Sequence, residues 1–417
     1  MLGWMYYNSL MSVVLYLRQY GKLFLFLLML GFGIYSTYLY LTIGQRGYDI
    51  DLVVLAYQFL HWNLDLPVIN LPVRDIANYH NNFYIYFGPL SSILLMPFVL
   101  VFGQSFPQVS IGIFSLITSF IATYSIAKKF KFDRVDSLWL SVFIVFSTVL
   151  FSTSVINGSA YEVQALGFAF ILLSLWAYFS KKHPLLIGLF ISMAFLSRFT
   201  LLLSLMFFGM EFLQKRFSFR SLVLLMIPVI LALGAFGVYN NRRFHSVFET
   251  GYGYNISTHD LPIGVNLKYG KEISIVHLPA NLYAFLFMPP DPVLVDVYGG
   301  MVLKFPYMKA NPWGVAIWIT SPLFLLLLAW KKGKYTLSAA ITTLLLTLPV
   351  FLWYSIGYAQ FGYRYALDFM PFLIILLLTC LDGKLSKTAI GLIILGVLFN
   401  CLYSGSIWGV YPHFGMM

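Results

Sequence analysis

Charge is scarce in this chain: Asp, Glu, Lys and Arg make up 10% of its 417 residues, and only 15 are acids. Cysteine is scarcer still. Cys380 and Cys401 both lie in apolar runs, which excludes a disulfide framework and offers no metal-ligand spacing. The His residues are scattered, with no HExxH or paired pattern, so no metal ligand is assigned. An acidic pair leaves room only for weak recruitment of a divalent cation. There is no internal repeat, no low-complexity linker and no pair of matching broken helices such as inverted-repeat transporters often carry. The chain therefore reads as a single domain, 1–417. The first 20 residues lack a basic start and a small-residue cleavage site, so no cleavable signal peptide is expected. The first span should act as its own insertion signal.

What is present instead is apolar surface. Hydrophobic residues make up 60% of the chain, with 40 Phe and 29 Tyr. A soluble core of this size cannot bury so much, whereas a bilayer accepts it. Many apolar runs reach the roughly 18 residues needed to cross a hydrocarbon core. The expected fold is an all-α polytopic membrane protein of about 10–12 transmembrane helices, made of segments such as 22–43, 107–127 and 221–239. The net charge of +11 excludes little by itself, but its placement argues against nucleic acid. Lys and Arg cluster in short connections between apolar segments, as the positive-inside rule produces.

That rule orients the chain. Residues 4–18 read as an interfacial helix on the cytoplasmic side, and Arg18 and Lys22 hold the near end of span 22–43 inside. The first polar loop then faces out. Two apolar segments, 84–103 and 107–127, precede the basic cluster of Lys128, Lys129, Lys131 and Arg134. Two crossings would leave that cluster outside. The segment after Gly88-Pro89 is therefore expected to lie along the outer surface or to dip into the membrane without crossing. Region 44–103 becomes a first outer loop carrying juxtamembrane helices, 185–213 a helical hairpin with its tip outward, and 240–311 a long outer loop. Further spans are expected at 137–155, 163–179, 312–330, 336–356, 366–381 and 388–406.

The residues suited to chemistry gather at that outer surface. Asp49, Asp51, Asp65 and Asp75 place four acids in one loop of an acid-poor chain. A carboxylate at the mouth of a bilayer cavity can act as general base on a hydroxyl, because apolar surroundings raise its proton affinity. The bland account of each is a solvated loop residue or a helix N-cap, and Asp65, in NLDLP, is left with it. Arg198 interrupts apolar sequence between two short helices. An intramembrane arginine faces a cavity, pairs with an anion or snorkels to the headgroups, and guanidinium grips phosphate in a bidentate way. In QFGYRYALDFMPF, Arg364 and Asp368 stand four apart, a spacing that pairs them on a helix face. The bland account is a structural ion pair at the outer end of a span; the functional one has Arg364 reaching a lipid phosphate and Asp368 orienting it, and the two are compatible. Tyr79, Tyr84 and Arg243 are candidates for a sugar-binding rim, although tyrosines enrich any membrane interface.

In order, YDIDLVVLAYQFLHWNLDL with RDIANYHNNFYIYFGPLSSILLMPFVLVFG, GLFISMAFLSRFT, YNNRRFHSVFETGYGY and QFGYRYALDFMPFL resemble the GT-C class of polytopic glycosyltransferases. The likeness is to the protein O-mannosyltransferase-like and aminoarabinose-transferase-like group. The resemblance implies a catalytic Asp in the first outer loop and a polyprenyl-phosphate-linked sugar donor. It also implies an inverting transfer to a protein, lipid or polysaccharide acceptor at the outer face of a prokaryotic plasma membrane. The usual Asp-Glu pair is absent, since Ile50 and Asp51 follow Asp49, and the base stays open among Asp49, Asp51 and Asp75. Asp75 fits the acid preceding the Tyr-rich Gly-Pro segment. Arg198 stands where relatives carry Lys or Arg between two short helices, and would contact the donor phosphate. A transporter or flippase is the alternative reading and a structural subunit the third.

Overall fold

In lipid a backbone amide finds no water, so a chain this apolar folds as helices, which satisfy their own N–H and C=O groups. The computed structural model describes residues 2–43, 50–67, 75–214, 219–255 and 266–408, with the backbone alone for 2–20, 43, 407 and 408. In chain order the described elements are α1 (Leu2–Ile43), α2 (Asp51–Leu60), β1 (Ile76–Tyr79), β2 (Asn82–Ile85), α3 (Leu90–Phe102) and α4 (Ser110–Lys129). Next come α5 (Arg134–Phe146), α6 (Leu150–Val155), α7 (Ser159–Phe179), α8 (Pro184–Ser197), α9 (Leu205–Gln214) and α10 (Phe219–Phe244). The last are α11 (Leu278–Leu286), β3 (Asp291–Val297), β4 (Gly300–Lys309), α12 (Ile317–Thr320), α13 (Thr336–Phe351), α14 (Met370–Leu381) and α15 (Lys387–Tyr403).

The chain is mostly helical, as an all-α membrane protein requires. Five helical stretches are long and apolar enough to cross a bilayer: Gly21–Thr42, Ser110–Lys129, Ser159–Phe179, Phe219–Phe244 and Lys387–Ser406. The other apolar segments fold as helices of 10–17 residues or as irregular backbone, so an expectation of 10–12 spans is met by only five long helices among the described residues.

Several segments differ from expectation for local reasons. Residues 4–18 are not a separate helix; with no proline to stop it, α1 runs unbroken for 42 residues, about 63 Å at 1.5 Å per residue. Segment 137–155 splits into α5 and α6. Thr148 Oγ1 donates to the Ile144 carbonyl at 2.7 Å and accepts from the Leu150 amide at 3.2 Å, ending one helix and starting the next. Segment 312–330 is not one helix either: α12 stops at Ser321 (φ −139°, ψ 65°), and Pro322–Leu328 continues as 3₁₀. Pro322 brings no amide, and the Thr320 carbonyl is taken by Asn400 Nδ2 at 2.6 Å. Two antiparallel hairpins, β1–β2 and β3–β4, fold within the polar regions.

The bundle is built around α7, with 83% of its membrane-length window buried. It packs against α4 and α8, and α8 against α10. The last contact is backbone-close, since a Cβ on Gly188 would stand 2.0 Å from the Leu225 carbonyl oxygen. Elsewhere, Lys22 of α1 pairs with the buried Asp136 of α5, which also accepts the Leu385 amide at 3.0 Å.

Candidate functional site

The β1–β2 hairpin brings the first-loop acid into place. Its turn, His80-Asn81, has positive φ at both residues (52° and 65°), the type I′ geometry that matches strand twist. The register pairs Ile76 with Ile85, so Asp75 and Tyr86 flank the ladder opposite one another. Tyr86 Oη donates to Asp75 Oδ1 at 2.7 Å and accepts from Asn255 Nδ2 at 3.1 Å. Asn255 in turn bridges to Ala77 of β1. Burial, and next the Asp75 charge, push the Tyr86 phenol well above its ordinary range, so it remains a donor.

Tyr252 links this hairpin to the bundle. Its ring lies 4.3 Å from that of Tyr86, 5.7 Å from Phe199 and 5.6 Å from Trp353. Burial raises its phenol; Arg198 opposes that shift, while Tyr365, Asp75 and Asp368 add to it. Tyr252 thus stands in the combined field of the first-loop acid, the Arg198 guanidinium and the Asp368 carboxylate.

Arg198 sits where α8 ends. Its backbone is extended (φ −147°, ψ 110°), and the chain resumes as a 3₁₀ turn, Phe199–Ser204, leading to α9. Arg198 Nε donates to Asp368 Oδ2 at 2.7 Å, and Thr200 Oγ1 donates to the same oxygen at 2.8 Å. The expected Arg364–Asp368 pair does not form. Residues 364–368 are a 3₁₀ helix, in which three residues per turn carry i+4 a third of a turn off the face of i.

Arg364 turns instead toward α7, donating from Nη1 to Gln164 Oε1 at 3.0 Å and to the Ala160 carbonyl at 3.3 Å. Its guanidinium lies 4.6 Å from the Tyr161 ring centroid and 5.0 Å from that of Tyr365, and Arg198 lies 5.5 Å from the same Tyr365 ring. The side chain is only 8% exposed, it makes no ion pair with a described carboxylate, and its Nε has no acceptor.

The other sequence candidates lie around this core. Asp51 opens α2 and is 6% exposed. The amide of Leu52 beside it donates to Gln108 Oε1 at 2.8 Å, and Gln108 Nε2 reaches Ser159 Oγ at 3.4 Å, tying the start of α2 to the start of α7. Asp49 falls outside the described residues. Arg243, expected at a solvent-facing rim, is buried at 1% exposure. It donates to the Ile85 carbonyl at 2.6 Å and to Asn240 Oδ1 at 2.8 Å, with Tyr239 stacked 3.8 Å away, and so anchors the hairpin. Tyr79 and Tyr84 pack on Phe244 at 5.6 and 5.3 Å.

Asp75, Arg198, Arg364 and Asp368 therefore share one neighbourhood, with Tyr86, Tyr252, Tyr365 and Gln164 as members that sequence reasoning missed. The His-Asn-Asn turn between alternating residues was a legible hairpin signal, and it would have set Tyr86 against Asp75. Among the described residues, no three His, Cys, Asp or Glu side chains gather as metal ligands. Compared with protein-family models, curated proteins and solved structures, the chain matches none.

Proposed function

We propose that the chain is a membrane glycosyltransferase of GT-C type, moving a sugar from a polyprenyl-phosphate donor to an acceptor at the outer face of a prokaryotic plasma membrane. The observation that carries this reading is Arg364: a buried guanidinium with no carboxylate partner among the described residues and an Nε that lacks an acceptor. A buried cation left unpaired is costly, and a ligand phosphate supplies the anion that removes the cost. Arg198 is already balanced by Asp368, so it orients the site while Arg364 contributes the positive charge that no described carboxylate pairs with.

Of the three candidate bases, Asp75 is the one supported by geometry, being held by Tyr86 and sharing the neighbourhood of Tyr252 with Arg198. In the proposed step Asp75 takes the proton of an acceptor hydroxyl as that oxygen bonds to the anomeric carbon. The bond from that carbon to the phosphate oxygen breaks, and the departing phosphate keeps the electron pair beside Arg364. Fixed cations in a water-poor site stabilise such developing charge without reorganising. The short helices α2 and α3 suit juxtamembrane placement, since α3 spans about 20 Å, less than a hydrocarbon core.

The test is sugar transfer by purified protein in lipid from a panel of polyprenyl-phosphate sugars, with Asp49→Asn, Asp51→Asn, Asp75→Asn and Arg364→Gln beside wild type. Loss of turnover in Asp75→Asn with donor binding retained supports the assignment. A wild type that turns over no donor, with all variants complementing a deletion, sinks it. A transporter or flippase is the second reading, favoured by the interruptions at Ser147–Val149 and Ser321, and vesicle uptake of lipid-linked or small solutes would reveal it.

A further inference from the structure

The β3–β4 hairpin is rooted where two membrane-length helices end. The Ala310 amide, just past β4, donates to Ser406 Oγ at 2.8 Å, and Tyr403 Oη donates to the Pro306 carbonyl at 3.3 Å. Both partners stand at the close of the membrane-length stretch Lys387–Ser406. Tyr40, near the end of the stretch Gly21–Thr42, donates to the Cys401 carbonyl at 2.8 Å, so two spans finish together beside the hairpin root. The end of a span marks the edge of the hydrocarbon layer. The hairpin root therefore stands at the level of one membrane surface.

The ribbon itself is apolar and uncovered. It turns at Tyr298-Gly299, both at positive φ (53° and 82°), and Asp296 Oδ1 closes the turn by accepting the Gly299 amide at 2.8 Å. Along β4, Met301, Leu303 and Phe305 share one face by the two-residue period, with Leu294 of β3 opposite Leu303. Met301 is 71% exposed, Phe305 is 62% exposed, and Tyr298 at the tip is fully exposed. An isolated two-stranded hairpin is marginal in water, and an exposed apolar face of this kind marks a surface that something covers. A further strand paired along either edge, as from a second copy of the chain, would satisfy edge amides and leave this face bare. A lipid layer covers the face itself. The outer edges of the two strands and the Asp296 carboxylate bar the ribbon from the hydrocarbon core, where unpaired backbone groups and charges find no partner. The boundary between headgroups and acyl chains suits both, and it is the level that tyrosines such as Tyr298 and Tyr307 favour.

We propose that the β3–β4 hairpin lies in the headgroup–acyl boundary of the bilayer that holds the chain, with the Met301, Leu303 and Phe305 face toward the acyl chains. Its root adjoins the candidate site: the Trp313 carbonyl, four residues past β4, accepts from Gln360 Nε2 at 2.8 Å, and Gln360 Oε1 accepts from the Arg364 amide at 3.3 Å. The proposal stands apart from the transferase reading, because its test reads only where the hairpin lies.

The experiment places a nitroxide spin label on Met301→Cys in the full-length protein, reconstituted into phosphatidylcholine vesicles. Cys380→Ala removes the partly accessible native thiol, Cys401 is buried, and protein without the introduced cysteine is the blank. Power saturation then reads the label's collisions with oxygen, which concentrates in lipid, and with a nickel chelate, which stays in water. The oxygen rate is expected to exceed the nickel rate several-fold. A nickel rate above the oxygen rate would overturn the proposal, since the face would then be in water. Low rates for both reagents would overturn it too, by showing that a protein surface, a second copy included, covers the face. With the label kept at Met301→Cys, the pair Leu303→Glu, Phe305→Glu adds two charges to the same face and is expected to invert the ratio. An unchanged ratio in that variant would sink the proposal, because the apolar face would not be what seats the ribbon. All of these side chains are exposed, so the fold of the bundle does not depend on them.

Discussion

Asp368 is bonded to Arg198, 170 positions earlier in the chain, and not to Arg364 in its own short helix. That single partnership divides two arginines that look equivalent in sequence. One is paired with a carboxylate inside the protein, and the other donates to the neutral Gln164 amide and Ala160 carbonyl.

The stability consequence follows from burial, since Asp368 is 1% exposed and accepts from both Arg198 and Thr200. Removing one partner of a buried pair strands the other. Asp368→Ala is expected to cost about 3–5 kcal/mol. The apolar pair Arg198→Met, Asp368→Leu is expected to recover most of that loss. Thermal unfolding of the three proteins in the same detergent checks it. A double variant no more stable than Asp368→Ala would mean that the pair is not an isolated unit.

The second ion pair carries an asymmetry. The Lys22 side chain is 32% exposed, whereas that of Asp136 is 2% exposed and also holds the Leu385 amide. Lys22→Met leaves a buried carboxylate with only neutral donors, while Asp136→Asn leaves an ammonium that can turn to water. Lys22→Met is therefore expected to destabilise by about 3 kcal/mol, and Asp136→Asn by roughly half of that. Unfolding midpoints at neutral pH decide it, and the reverse order would refute the argument.

Glycines give a prediction with its own control. A Cβ on Gly188 meets the Leu225 carbonyl at 2.0 Å, and one on Gly88 meets the Leu196 carbonyl at 2.0 Å; at Gly209, within α9, nothing lies within 4 Å. Backbone cannot step aside as a side chain can. Gly188→Ala and Gly88→Ala are each expected to lower stability by more than about 2 kcal/mol. Gly209→Ala is expected to raise it by up to about 1 kcal/mol through helix propensity. Parallel unfolding curves of the three variants test this.

How much of this was legible varies from residue to residue. Helical class followed from apolar runs, because lipid leaves the backbone few alternatives. The Arg198 joint was visible because a charge in an apolar run announces itself. The breaks at Ser147 and Ser321 were not, since a hydropathy window averages over a serine or threonine; the first is held locally by Thr148, and the second by Asn400 on another segment. The i, i+4 reading of Arg364 and Asp368 failed because it presumed an α-helix, where a 3₁₀ turn formed. Arg243 was misread as surface because nothing in YNNRRF shows that the Ile85 carbonyl lies within its reach.

Tyr86 ties the site's geometry to pH. Its phenol donates to Asp75 and accepts from Asn255, and burial raises it well above its ordinary value of 10.0. In the unfolded chain the same phenol ionises near its ordinary value, so the stability linked to it is intact below about pH 10 and is lost as pH climbs from there toward the folded value. Tyr86→Phe removes the titration together with both hydrogen bonds. It is expected to cost about 2 kcal/mol at neutral pH. Its midpoint is expected to fall less steeply than that of wild type between about pH 9 and pH 11. Unfolding midpoints of the two proteins across that range measure the difference. Parallel alkaline limbs would show that the Tyr86 proton is not held by the fold, and with it would go the claim that this phenol stays a donor to Asp75.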